Sequence, residues 1–170
     1  SFSRRQRQMC IRDRDDDIID GTQNSTITVS IIDGISDDAF DSVADQTVSV
    51  TTADDDVAGF TVTETEGSTG VSESGSTDLF AIVLNTQPSS DVVLSITSSD
   101  TGEATVDSLI QFTTANWDTP QNVTVTGVDD GIIDGTQTST ITITVVDAIT
   151  DDDFDSVADQ TVSVTTTDDD

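Results

Sequence analysis

Residues 128–145 read VDDGIIDGTQTSTITITV, and the two halves of this stretch do different work. The first half places Asp129, Asp130 and Asp134 beside Gly131 and Gly135, which is the composition of a loop. In the second half Ile141, Ile143 and Val145 alternate with Thr140, Thr142 and Thr144. A period of two describes a half-buried strand, because successive side chains of a strand point to opposite faces. An acidic loop feeding a Thr-rich strand predicts a metal site carried on a β-scaffold.

The same words occur earlier, as DDDIIDGTQNSTITVSIID over residues 15–33. Sliding the chain on itself by 114 positions superposes 15–56 on 129–170, with 32 of 42 residues identical. The exchanges are mostly between β-formers, such as Val29 with Ile143 and Ile31 with Val145. A period of this length is a whole domain, longer than the 20–50-residue unit of a solenoid. Residues 15–56 therefore read as the end of one repeat, and residues 57–170 as one complete repeat.

Charge constrains the reading further. The chain has 170 residues, a formal charge of -29, no His and no Tyr. All five basic residues (Arg4, Arg5, Arg7, Arg12 and Arg14), together with Met9 and Cys10, fall in the first 14 positions. From residue 15 onward there are 33 acids and no base, so no ion pair between side chains can form there. Two bare carboxylates about 4 Å apart repel by about 4 kcal/mol at an effective dielectric of about 20. Clusters of three oppose folding unless a cation sits among them. Such a field makes nucleic acid and acidic membrane surfaces poor partners. Low hydrophobicity with high charge also marks disorder, but the regular alternation of Val, Ile and Thr predicts a folded β-protein.

The basic segment reads differently from the rest. Residues 4–13, RRQRQMCIRD, match a ten-codon translation of a common sequencing-library adapter, and the composition changes abruptly at Asp15. Residues 1–14 are accordingly expected to be an assembly artefact or a disordered tail, with the chain a fragment of a longer one. They lack the apolar core of a signal peptide, and Cys10 then carries no information about redox compartment.

Seven strands are expected in the complete repeat, near 58–65, 77–85, 91–98, 108–113, 121–128, 136–147 and 160–166, separated by turn-rich gaps. Each has one apolar face, as in Phe80, Ile82 and Leu84, or Val92, Leu94 and Ile96. The expectation is all-β: a seven-stranded antiparallel two-sheet sandwich in tandem repeat. No stretch is long enough to span a membrane as a helix. Trp117 and Phe154 are read as packing residues at the ends of the sandwich.

If successive strands alternate in direction, four chain segments share one pole. That pole collects Glu64 and Glu66, then Asp100 and Glu103, then Asp129, Asp130 and Asp134, and finally Asp168, Asp169 and Asp170. The opposite pole receives Asp151, Asp152, Asp153 and Asp155, in a loop that could equally be a plain solvated turn. Oxygen-only clusters suit Ca²⁺, which takes six to eight oxygen ligands in flexible geometry. Zinc and copper favour His and Cys, which are absent from residue 15 onward. Nucleophilic catalysis lacks its base. A paired-carboxylate glycosidase would need a cleft with one acid held neutral. A carbohydrate-binding face would need more aromatics than one Trp and six Phe. The chain is expected not to be an enzyme.

These residues resemble a Calx-beta domain, a calcium-binding sandwich of sodium–calcium exchangers and large bacterial surface proteins. The resemblance spans 57–170, with 15–56 as a partial copy. It is carried by FTVTETEG, by FTTANWDTPQNVTVTGVDD and by SVADQTVSVTTTDDD. It implies calcium ligands at Glu64, Asp100, Asp129, Asp130, Asp134, Asp168, Asp169 and Asp170. The partial copy repeats them at Asp15, Asp16, Asp20, Asp54, Asp55 and Asp56. Asp134 stands where a longer glutamate is usual and Gln137 where another acid is common, which implies one or two sites of moderate affinity. The implied role is a structural repeat of an extracellular or cell-surface bacterial adhesin, with neighbouring repeats as partners. The alternative is a calcium sensor that changes interdomain geometry.

Overall fold

Among the described residues the regular structure is strand rich in Thr, Val and Ile, joined by loops and short 3-10 turns rich in Asp, Gly and Ser. The computed structural model describes residues 16–170; the arginine-bearing segment 1–14 and Asp15 lie outside the described residues. The chain divides into two units, one holding Asp20–Asp55 and the other Asp17–Ile19 with Asp56–Asp170.

In the first unit β1 (Gln23–Val29) and β2 (Gln46–Thr52) form an antiparallel hairpin, with Ile27 opposite Val48 and Ser25 opposite Val50. Two 3-10 turns, Asp33–Ile35 and Asp38–Phe40, lie between them. Asp37 caps the second by accepting from the Ala39 amide at 2.9 Å.

The second unit contains nine strands. These are β3 (Phe60–Glu64), β4 (Thr69–Ser72), β5 (Thr77–Leu84), β6 (Val92–Ser98) and β7 (Ala104–Val106), followed by β8 (Leu109–Phe112), β9 (Gln121–Gly127), β10 (Gln137–Val145) and β11 (Gln160–Thr167). One sheet has the order β3-β5-β9-β7 and the other β4-β11-β10-β6-β8. The two-sheet β-sandwich expected from the alternation is present, and all seven expected strands occur. Two short strands, β4 and β7, are additional. Strand β4 lies parallel to β11, whereas every other strand pair in the unit is antiparallel.

The register of β10 on β11 repeats that of β1 on β2: Ile141 faces Val162 as Ile27 faces Val48. Burial differs sharply between the copies. Ile143 and Val162 are 0% and 2% exposed, while Val29 and Val48 are 60% and 55% exposed. In the second unit β6 pairs with β10, and the opposite sheet covers the apolar face.

The core lies between the sheets. Phe80, Ile82 and Leu84 meet Val92, Leu94 and Ile96, Val123 and Val125, and the alternating residues of β10 and β11. Fully burying such a side chain contributes about 1.5–3 kcal/mol. Val62 and Ile110 sit at its rim, half-buried. Trp117 packs against the core and its carbonyl accepts from the Leu84 amide at 3.1 Å, while Phe154 is wholly buried. Both aromatics therefore fill the packing roles expected of them.

Strand β3 does not simply end at Glu64. A 3-10 turn at Thr65–Gly67, with Glu66 at φ 55 and Gly67 at φ 81, jogs the chain from one sheet to the other. The strand then resumes as β4, and its pole-facing end is Glu73 rather than Glu64 or Glu66.

Candidate metal centre

Four segments converge on the pole where β4, β6, β9 and β11 end and β10 begins. The turn after β4 contributes Glu73, the segment between β6 and β7 contributes Glu103, the loop between β9 and β10 contributes Asp134, and the end of β11 contributes Asp168 and Asp170. Carboxylate oxygens of Glu73, Glu103 and Asp134 lie within 4.8 Å of one another, as do those of Glu73, Asp168 and Asp170. Glu73 belongs to both groups.

Backbone bonds hold these segments in place. The Glu73 amide donates to the Thr167 carbonyl at 3.0 Å, and the Val128 amide donates to the Glu103 carbonyl at 2.9 Å. At Gly127, at the end of β9, two backbones pass close together: a Cβ there would overlap the Ser72 carbonyl. The Asp168 Oδ2 accepts from the Gly135 amide at 2.6 Å, clamping the β9–β10 loop to the end of β11. The first unit repeats this clamp, with the Gly21 amide donating to Asp54 Oδ2 at 2.6 Å.

The pole carries buried carboxylates close to one another. Glu73 is 1% exposed and Glu103 is 7% exposed. In each, Oε2 is buried without a hydrogen-bond partner. Buried polar atoms are otherwise almost always paired, and leaving one unpaired is costly. Burial raises the Glu73 carboxyl above its ordinary value, and the charges of Asp168, Asp130, Glu103 and Asp134 push it further. Burial likewise raises Glu103, followed by the charges of Asp134, Asp100, Asp130 and Asp168. Asp170 is raised by burial and then by Asp129, Asp169, Asp168 and Asp130. Asp168 moves the other way, because the Asp170 and Gly135 amides bond its ionised form.

Of the residues expected as ligands, Asp134, Asp168 and Asp170 enter the two groups. Asp129, Asp130, Asp169 and Asp100 surround them and act through their charge. Asp130 Oδ1 accepts from the Ile132 amide at 2.8 Å, and Asp100 Oδ1 from the Gly102 amide at 2.9 Å. Glu64 stands before the jog, where Oε2 accepts from Thr69 Oγ1 at 2.8 Å, and it is not brought into either group. Glu73 is in both groups, and it follows β4, the strand formed after the Thr65–Gly67 turn. In the partial copy Asp54 makes the clamp already described; Asp16, Asp20, Asp55 and Asp56 are among the described residues and Asp15 is not.

The sequence contained a signal for Glu73. Thr69, Val71 and Glu73 alternate with Gly70 and Ser72, a period of two beyond Gly67 whose three larger members prove buried. Gly, Ser and Thr around it read as loop and hid it.

The opposite pole is built differently. Asp151, 4% exposed, accepts through Oδ2 from the Ser89 amide (2.6 Å), the Ser89 hydroxyl (2.8 Å) and the Ser90 amide (2.8 Å). Its Oδ1 accepts from the Asp153 amide at 3.1 Å. Burial alone would raise its carboxyl. The hydrogen bonds from the Ser89 hydroxyl and the Asp153, Ser90 and Ser89 amides outweigh that and leave it below its ordinary value. Asp151 therefore latches two loops together through its hydrogen bonds.

No protein-family model matches the chain, and no curated protein matches it. Solved structures do. The apo-form Calx CBD1 domain is similar at 14% identity and TM-score 0.46, with 65% of this chain and 98% of that chain covered. Domains 4 and 5 of the S-layer protein SbsC are similar at 19% identity and TM-score 0.45, covering 85% of this chain and 58% of that chain. The E. coli chaperone DraB is similar at 6% identity and TM-score 0.47, covering 66% and 56%. No helix among the described residues is long and apolar enough to cross a membrane.

Proposed function

We propose that the second unit is a calcium-binding structural repeat of an extracellular bacterial adhesin or surface protein. Calcium neutralises the acidic pole and stiffens the end of the sandwich next to its neighbour. The observation that carries this reading is the pair of buried, partnerless oxygens on Glu73 and Glu103. They face a site whose donors are all hard oxygens, the ligand type Ca²⁺ prefers. Asp134, Asp168 and Asp170 complete the carboxylates, so two adjacent ions would share Glu73. Asp129, Asp130 and Asp169 add charge around them. Glu64 and Asp100 remain outside the innermost set.

A structural site needs little affinity where calcium is plentiful. At one hundred times its dissociation constant, a ligand stabilises the fold by about 2.7 kcal/mol per independent site. That is a sizeable share of the roughly 5–15 kcal/mol typical of a domain. Isothermal calorimetry on the full chain tests the reading. Binding near 10⁻⁵ M or weaker, with about two ions per second unit, is the expected outcome. Binding well below micromolar, with a change in scattering profile, favours the calcium-sensor role instead. No heat of binding at millimolar calcium contradicts both.

A further inference from the structure

Residues 17–19 belong to the second unit although they precede β1 in the chain. The Gln87 amide donates to the Asp17 carbonyl at 2.7 Å, and Ile18 forms a parallel β-bridge with Gln87. Gln87 sits at a shaped corner between β5 and β6. Its side-chain amide donates to the Thr114 carbonyl at 2.9 Å, and Pro88, which follows it, has no N–H to offer. The corner therefore presents the Gln87 amide as a donor for an incoming extended segment.

The 114-residue repeat maps Asp17, Ile18 and Ile19 onto Gly131, Ile132 and Ile133. The later copies are exposed, Ile132 by 57% and Ile133 by 82%, whereas Ile18 is 45% exposed. At the first of these positions the backbones differ. Gly131 has φ 72, while among the described residues Glu66 is the sole non-glycine with positive φ, so Asp17 is not left-handed. A glycine moves between these regions at little cost. Gly131 can therefore adopt the conformation of Asp17.

We propose that the Ile132–Ile133 tip is a docking element whose partner is the Gln87 corner of a further copy of this same repeat, seated through the backbone bridge that Asp17 and Ile18 make here. The spacing supports that partner. Gln87 lies 69 positions after Ile18, and a copy of residues 57–170 joined after Asp170 would place its own glutamine 69 positions after Ile132. The join would also restore the sequence DDDVAGF found at residues 54–60. The contact seen at Asp17 and Ile18 is a backbone one, and the proposal does not depend on the calcium reading.

Amide hydrogen exchange tests it in two steps. In the full chain, Ile18→Ser should speed exchange of the Gln87 amide by about tenfold or more, equivalent to about 1.4 kcal/mol of lost protection. An unchanged rate overturns the proposal. In the full chain extended after Asp170 by a copy of residues 57–170, the glutamine of the added copy should be protected as Gln87 is, and Ile132→Ser should remove that protection. If that amide exchanges equally fast with Ile or Ser at position 132, the tip is not a docking element. Because Ile132 is exposed, the substitution should leave the melt of the unextended chain unchanged, which separates loss of docking from loss of fold.

Discussion

Glu73 and Glu103 approach within 4.8 Å through their carboxylate oxygens, and each keeps one buried oxygen without a hydrogen-bond partner. In a pole that also gathers Asp134, Asp168 and Asp170, this pair concentrates the electrostatic cost of the fold.

Acid should act on the fold in opposite directions with and without calcium. Glu73 and Glu103 have raised folded-state values, so without calcium the folded state takes up protons more readily than the unfolded chain does. Stability in EDTA should therefore rise as pH falls from neutral toward the upper edge of the carboxylate range. It should fall again only below the ordinary carboxylate values, as Asp151 and Asp168, whose folded values are lowered, become protonated. With saturating calcium the first trend should reverse, because protons and the ion compete for the same oxygens. Thermal melts from pH 7.5 to 3, with and without calcium, measure both trends.

Removing one charge at the centre should separate the two states. Glu73→Gln keeps the shape but removes the charge shared by both carboxylate groups. In EDTA the variant should melt a few degrees above the parent; in calcium it should lose most of the calcium-dependent gain. A variant that melts lower than the parent in EDTA would show that Glu73 has a stabilising partner there.

How far the sequence disclosed this site depends on the residue. Ile141, Ile143 and Val145 alternate so regularly that β10 and its buried face were plain, and strand parity brought Glu103, Asp134 and Asp168 to one pole. Glu73 was hidden because a strand that changes sheets needs a left-handed jog. Glu66 at φ 55 supplies it without the glycine that would have announced it, and Gly67 looks like an ordinary turn residue. The three-residue β7 is too short to show a period. The exposure of Val29 and Val48 could not be read from a sequence shared with the buried Ile143 and Val162, because burial depends on the strands and sheet that cover a hairpin.

The approach of β4 to β9 predicts a strict requirement for glycine. In Gly127→Ala, the new methyl would overlap the Ser72 carbonyl, and the backbone next to Glu73 would have to move. The expected loss is about 1–3 kcal/mol, typical of overpacking, read as a lower denaturation midpoint in urea with an unchanged slope. Calcium affinity should fall as well, since the same shift displaces Glu73.

At the far pole, Asp151→Ala should cost about 3 kcal/mol, because it strands the donors of Ser89 and Ser90 beside a buried carboxylate site. Its calcium-dependent gain in melting temperature should match that of the parent, which distinguishes a latch from a ligand.

The most direct test of the central claim is a thermal melt of the full chain in EDTA and in millimolar calcium. A cooperative transition of the second unit that rises by several degrees on adding calcium, and returns when EDTA is added back, is the predicted result. A transition at the same temperature in both conditions would contradict the account, leaving the buried oxygens of Glu73 and Glu103 without a cation to explain them.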